Sequence, residues 1–98
     1  MVKRRGNRLW VCVGKIIATG QIAAAGTALV EEIRANRPQE VVIDLCDVES
    51  LSLAEVEAII DLMTIAQVLQ VKPSIENIGE KLSASLRLSG VAFDHAMK

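Results

Sequence analysis

Val41-Val42-Ile43-Asp44-Leu45, then Cys46-Asp47-Val48-Glu49-Ser50-Leu51, then Ser52-Leu53-Ala54-Glu55, is the stretch that decides the fold. Its first five residues are short, β-branched and apolar at both alternating positions. That is the pattern of a strand buried on both sides in a parallel or mixed sheet covered by helices. Ser52 with Glu55 three residues on has the capping-box form, and Leu51 and Val56 flank it at the spacing of a hydrophobic staple. Val56, Ile59, Ile60, Met63, Ala66 and Leu69 carry the helix on as one apolar stripe broken only by Gln67. Leu53, Leu62, Ile65 and Val68 add apolar surface outside it. A helix this apolar is either sandwiched in the fold or partly covered by a partner.

Upstream, Leu9-Trp10-Val11-Cys12-Val13 is a run of β-formers ended by Gly14 and reads as a strand. Lys15 to Gly20 reads as a connection. Ile22, Ala25, Leu29 and Ile33 then recur at helical spacing, and Arg37-Pro38 closes that helix because a residue before proline is pushed out of the α region. Downstream, Val71-Lys72-Pro73-Ser74-Ile75 reads as a third strand whose proline places it at an edge or near its own start. Asn77 with Glu80 offers a second cap, Leu82, Leu86 and Ser89 share a face, and Gly90-Val91 has the form of a helix stop. Strands and helices alternate, which implies right-handed crossovers and a small α/β sheet.

The chain has 98 residues, 51% of them hydrophobic and 23% charged, so it reads as one folded domain and not as a disordered chain. No apolar run approaches the roughly 20 residues of a membrane span, and Lys3-Arg4-Arg5 is not followed by a signal-peptide core. Trp10 and Phe93 are the only aromatic side chains, which argues against a base-stacking nucleic-acid surface. Net charge is −1, yet Lys3, Arg4, Arg5 and Arg8 are four of the 11 basic residues, leaving the rest of the chain acidic. Glu31, Glu32, Glu40, Asp44, Asp47, Glu49, Glu55, Glu57 and Asp61 face only Arg34 and Arg37 in that stretch. Such a surface repels DNA and suits a basic protein partner. Residues 1–7 read as a frayed basic tail.

Catalytic chemistry is sparse. Gly14, Gly20 and Gly26 match neither nucleotide fingerprint. His95 stands alone near the end and reads as a surface side chain. Cys12 and Cys46 each read as a small hydrophobe in a strand, with reduced thiols in a cytoplasmic protein. Asp44, at the end of a buried strand, reads first as a stabiliser of the following turn and only second as a catalytic carboxylate. Cys46 has no base beside it in sequence that would make it a nucleophile. Asp47 and Glu49 form an acidic loop with Asp44, but a cation site asks for more oxygen ligands in a glycine-containing turn. Ser52, at a helix N-terminus, could carry a phosphoryl group that the helix dipole tolerates, beside Asp47, Glu49, Glu55 and Glu57. Its plain alternative is a helix cap worth about 1 kcal/mol.

The segment from Val41 through Glu49 into the helix start resembles the STAS domain of bacterial anti-sigma-factor antagonists. In that family an apolar strand ending Asp-Leu leads through a short loop to Asp-Ser-Ser-like residues that open a helix. Asn77-Ile78-Gly79-Glu80-Lys81-Leu82 through Leu86-Arg87-Leu88-Ser89-Gly90-Val91 is similar to its closing helix. Element order and lengths agree over residues 8–93, in the manner of the short single-domain stressosome regulators. The resemblance implies a small STAS-like mixed sheet covered by helices, order β-α-β-α-β-α, with the family's first strand and last helix abbreviated or missing. It also implies a non-enzymatic module, without cofactor, that docks on an anti-sigma factor or a switch-type serine kinase. The docking surface is expected over residues 47–60, using Asp47, Glu49, Ser50, Leu51, Ser52, Leu53, Glu55 and Val56. Counted from Asp44, Ser52 falls on the family's helix-capping aspartate and Leu53 on its phosphorylated serine. The acceptor is therefore Ser52 by a one-residue shift, or lost. Loss would leave a constitutive binder or a non-switching scaffold subunit of a stressosome-like or membrane-transport assembly. Exposed sheet edges would favour self-association.

Overall fold

The computed structural model describes residues 2–88, with side chains through residue 84. Val2–Arg5 (β1) and Arg8–Cys12 (β2) form an antiparallel hairpin. β2, Glu40–Asp44 (β3) and Lys72–Glu76 (β4) run parallel, so the mixed four-stranded sheet has the order β1-β2-β3-β4. Val13–Ala18 (α1), a short 3-10 turn at Ile22–Ala24 and Ala25–Asn36 (α2) connect β2 to β3. Leu53–Val68 (α3) connects β3 to β4, and Glu80–Leu88 (α4) follows. The alternation expected from sequence is present, and the architecture is that of a small α/β domain compatible with a STAS-like fold.

One sheet face packs on the helices. Leu9, Val11, Val41, Ile43 and Ile75 join Ile16, Leu29, Ile33, Ile59, Leu62, Ala66 and Leu82 in a single buried core. Val41, Val42 and Ile43 are all buried, as two-sided burial of β3 requires. Val42 points to the opposite face, in register between Trp10 and Ser74. Arg8 crosses that face. Its Nε donates to Glu40 Oε1 at 2.7 Å, and its Nη2 reaches Glu76 Oε2 at 2.6 Å, from the first residue of β2 to the last of β4. The Arg5 and Arg8 guanidinium carbons each lie 5.1 Å from the Trp10 ring centroid, a cation–π arrangement.

Both edges of the sheet are blunted. β1 carries Lys3, Arg4 and Arg5 along one edge, and β4 carries Pro73 along the other. Lys72 N–H donates to Gln39 O at 3.3 Å, and Glu76 O accepts from Leu45 N–H at 3.0 Å, so Lys72, Ser74 and Glu76 turn their backbone toward β3. Pro73 and Ile75 therefore face outward, and the donor that proline lacks is one the sheet does not use. Edge pairing is thus a poor route to the self-association expected from exposed edges.

Four local expectations change. The stretch read as a basic tail forms β1, because Gly6 and Asn7 make a two-residue hairpin turn with Gly6 at φ 61°. The connection read from Lys15 to Gly20 is α1 over most of its length, with its buried side chain Ile16 in the core. Asn77 does not cap α4. It sits at φ 61°, and the first bond of the helix runs from Ser83 N–H to Gly79 O at 2.9 Å. Cys46 lies one residue past Leu45, exposed in the loop and not in a strand. The readings of Gly90-Val91, Phe93 and His95 lie outside the described residues.

α3 ends in a Schellman arrangement. Val71 N–H bonds to Ala66 O at 2.8 Å and Gln70 N–H to Gln67 O at 3.0 Å, with Gln70 at φ 63° in the place glycine usually takes. Arg37 closes α2 at φ 46°, its N–H on Ile33 O at 2.8 Å, just before Pro38 as the sequence indicated.

Candidate functional site

The loop from Leu45 to Ser52 and the first turn of α3 gather most of the residues singled out in sequence. The loop is held at both ends and in the middle. At its start, Asp44 Oδ1 accepts from Cys46 N–H at 2.9 Å and from Asn77 Nδ2 at 3.0 Å, tying the loop after β3 to the loop after β4. The carboxylate thus does what its position at a strand end suggested, stabilising the turn. In the middle, Val48 is buried and its N–H bonds to Leu45 O at 3.1 Å. Gly14 leaves room for this turn: a Cβ there would lie 3.2 Å from Cys46 O. At the far end Ser52 and Glu55 complete the capping box: Ser52 Oγ accepts from Glu55 N–H at 3.2 Å and Glu55 Oε1 accepts from Ser52 N–H at 2.8 Å.

Between these anchors the loop faces solvent. Asp47, Glu49, Ser50 and Ser52 are exposed, and Leu53 is 71% exposed. Leu51 is half-buried against the core. One of the expected contact residues is buried, and a second is half-exposed and engaged in the cap. Val56 is 4% exposed and belongs to the core, since the fourth helical position turns inward under the cap. The Glu55 carboxylate is turned back onto the Ser52 backbone. Glu57, exposed one residue after Val56, extends the acidic surface in its place. Glu49 approaches Lys81 of α4 at 3.8 Å, but both are well exposed, so this pair contributes little.

Beside the loop, at the C-terminal ends of β2 and β3, lies a cavity of about 400 Å³ lined by Cys12, Gly14, Lys15, Asp44, Cys46 and Asp47. The Cys46 thiol is held above its usual value, chiefly by the Asp47 carboxylate, with desolvation and Asp44 adding to it. Those neighbours oppose thiolate formation, the reverse of what an activated cysteine needs. Among the described residues, no group of three or more His, Cys, Asp and Glu side chains is arranged to hold a metal ion. The parallel strands β2, β3 and β4 follow in chain order with α1, α2 and α3 on one face. Among the described residues the sheet therefore shows no reversal of strand order of the kind at which α/β domains open a ligand crevice. No helix among the described residues is long and apolar enough to cross a membrane.

Sequence reading missed Asn77 as a clamp on Asp44. The signal was its left-handed tolerance, which suits a tight turn as well as a cap. It also missed the Arg8–Glu40–Glu76 cluster, whose partners are 32 and 68 residues away and meet only through strand register.

No protein-family model matches the chain, and no curated protein matches it.

Proposed function

We propose that this chain is a non-enzymatic, cytoplasmic protein-binding module of the anti-sigma-factor-antagonist type, which grips a basic surface of an anti-sigma factor or switch-type serine kinase. The observation that carries the reading is the tip of α3. A leucine that is 71% exposed stands on a capped helix start beside Asp47, Glu49 and Glu57. An exposed apolar side chain on a helix start that is rich in carboxylates is the composition of a docking site, the leucine supplying contact and the carboxylates steering the partner. The anchors at Asp44, Val48 and Ser52 favour a loop shaped before binding, which lowers the cost of ordering it in a complex.

The second reading, a non-switching scaffold subunit, gains support from the capping box. Leu53 occupies the position of the family's phosphorylated serine. Ser52, the neighbouring hydroxyl, already serves as the cap, with the Glu55 carboxylate 2.8 Å from its backbone nitrogen. A phosphoryl group on Ser52 would be repelled by that carboxylate.

Binding to a purified anti-sigma factor or switch kinase, measured by calorimetry, tests the first reading. Leu53→Asp and Glu57→Lys are each expected to weaken capture at least tenfold with unchanged circular dichroism, and unaltered affinity of both variants removes this surface. Labelled ATP with the same kinase separates the two readings: label on Ser50 or Ser52 selects the switch, and absence of label on a bound complex selects the scaffold.

A further inference from the structure

The end of α3 opposite Ser52 carries a groove of opposite charge. Where α2 and α3 finish, a groove of about 460 Å³ opens, with Ile33, Leu69 and Val71 in its apolar lining and Arg34 and Arg37 beside them. Both arginines are exposed. Lys72, also exposed, begins β4 directly after the groove. Two helix carboxyl ends meet here, each bringing about half a negative charge, and two guanidiniums outweigh them. The groove therefore combines an apolar floor with a polar, cationic rim, suited to an apolar side chain flanked by carboxylates.

The same molecule displays that counterpart at its other end. Leu53 projects from the first position of α3 at 71% exposure, with Glu57 one turn on along the same helix face and Asp47 and Glu49 exposed in the loop that leads to it. α3 has 16 residues and so spans about 24 Å, and a chain cannot place its own tip in its own groove. A second copy can.

We propose that copies of this chain associate head to tail, the Leu53 tip of one seated in the groove between the ends of α2 and α3 of the next. The contact joins two different patches, so it does not close on two copies and grows into a ring or an open file. Blunted edges at β1 and β4 leave the strand termini as the free direction. The inference stands on groove and tip alone, without the partner assigned above. Because both uses engage Leu53, a bound partner caps the growing end.

Sedimentation velocity of the full chain over a wide concentration range tests this. At low salt the average mass is expected to climb above the 10.6 kDa monomer without levelling at a dimer. It is expected to fall back at about 1 M salt, where the Debye length is about 3 Å. Leu53→Asp destroys the tip and keeps the groove, while Arg34→Glu with Arg37→Glu does the reverse. Each variant alone is expected to remain monomeric to at least tenfold higher concentration. Their equimolar mixture is expected to form a dimer and stop there, since only one working tip and one working groove are present. Should the double variant lose helical circular dichroism, Arg37→Ser alone carries the groove arm. A wild-type chain that stays monomeric, a wild-type plateau at two copies, or a mixture that fails to pair overturns the proposal. The groove variants leave the acidic tip intact, so their capture of an anti-sigma factor or kinase reports on the proposed function separately.

Discussion

Ser52 permits a graded test of what the capping box contributes. Its Oγ accepts the Glu55 N–H at 3.2 Å, and replacement by alanine removes that acceptor while the Glu55 carboxylate keeps its own bond to the Ser52 N–H. Loss of an N-cap acceptor costs about 1 kcal/mol, within a range of roughly 0.5–2. In a chain of 98 residues, about 1 kcal/mol lowers Tm by about 4–8 °C. Glycine at the same place should cost only a few tenths of a kcal/mol, since it adopts the cap backbone without strain. Aspartate restores an acceptor and ranks with serine as a cap. Its charge faces Glu55 across an exposed helix end, so the added repulsion is about 0.5 kcal/mol or less. The expected order of melting temperatures by circular dichroism is therefore Ser, then Asp and Gly close together, with Ala lowest. Equal stability of the alanine and serine proteins, or an aspartate variant no better than alanine, would refute the assignment of Ser52 as a working cap. The aspartate variant has a further use: it adds charge to the tip of a folded domain, so any change in partner capture reads charge and not unfolding.

Substitutions at three other positions probe separate parts of the structure. Gln70→Gly relieves a left-handed residue at φ 63°, which costs an L side chain roughly 1–2 kcal/mol, against an unfolded-state penalty of about 0.4–1. A net gain of several tenths to about 1 kcal/mol in urea unfolding is expected, and a loss would show that Gln70 is not strained. Arg8→Ala removes two charge-assisted bonds, of 2.7 and 2.6 Å. The expected cost is about 2 kcal/mol, with Arg8→Lys recovering less than half because a point charge cannot span both glutamates. Cys46 should alkylate slowly at neutral pH, its rate rising only at pH above the ordinary thiol range. Asp47→Asn should speed the reaction, and an unchanged rate would mean that the Asp47 carboxylate does not hold the thiol protonated.

How much of this was legible in the sequence follows the range of the interactions. The capping box at Ser52, the two-sided burial of β3 and the stop at Arg37-Pro38 are set by residues within a few positions of one another, and each reads directly. The hairpin β1–β2 was legible too, since Gly6-Asn7 separates two short runs at hairpin spacing, but three consecutive cations obscured the strand. Charge on an edge strand is a surface property and says little against pairing on the other side. Asp44, Asn77 and Arg8 meet their partners across strands, so parallel register decides their contacts and no local pattern encodes it. The tip reads as a region, with Val56 both in the staple and among the contact residues, and the structure gives it to the core. Which positions of an almost uniformly apolar helix turn inward depends on where the cap fixes its rotation, and that is a property of the folded chain.

The ring of Pro73 has an effect beyond its own strand. Ile75 supplies the single outward N–H along β4, so a stray polypeptide aligning there meets one donor and no continuing ladder. In a chain half of whose residues are hydrophobic, that missing proton guards against amyloid-like templating at crowded concentrations. Replacing the proline with valine would put a second outward N–H on this border and is expected to shorten the lag before fibrils form.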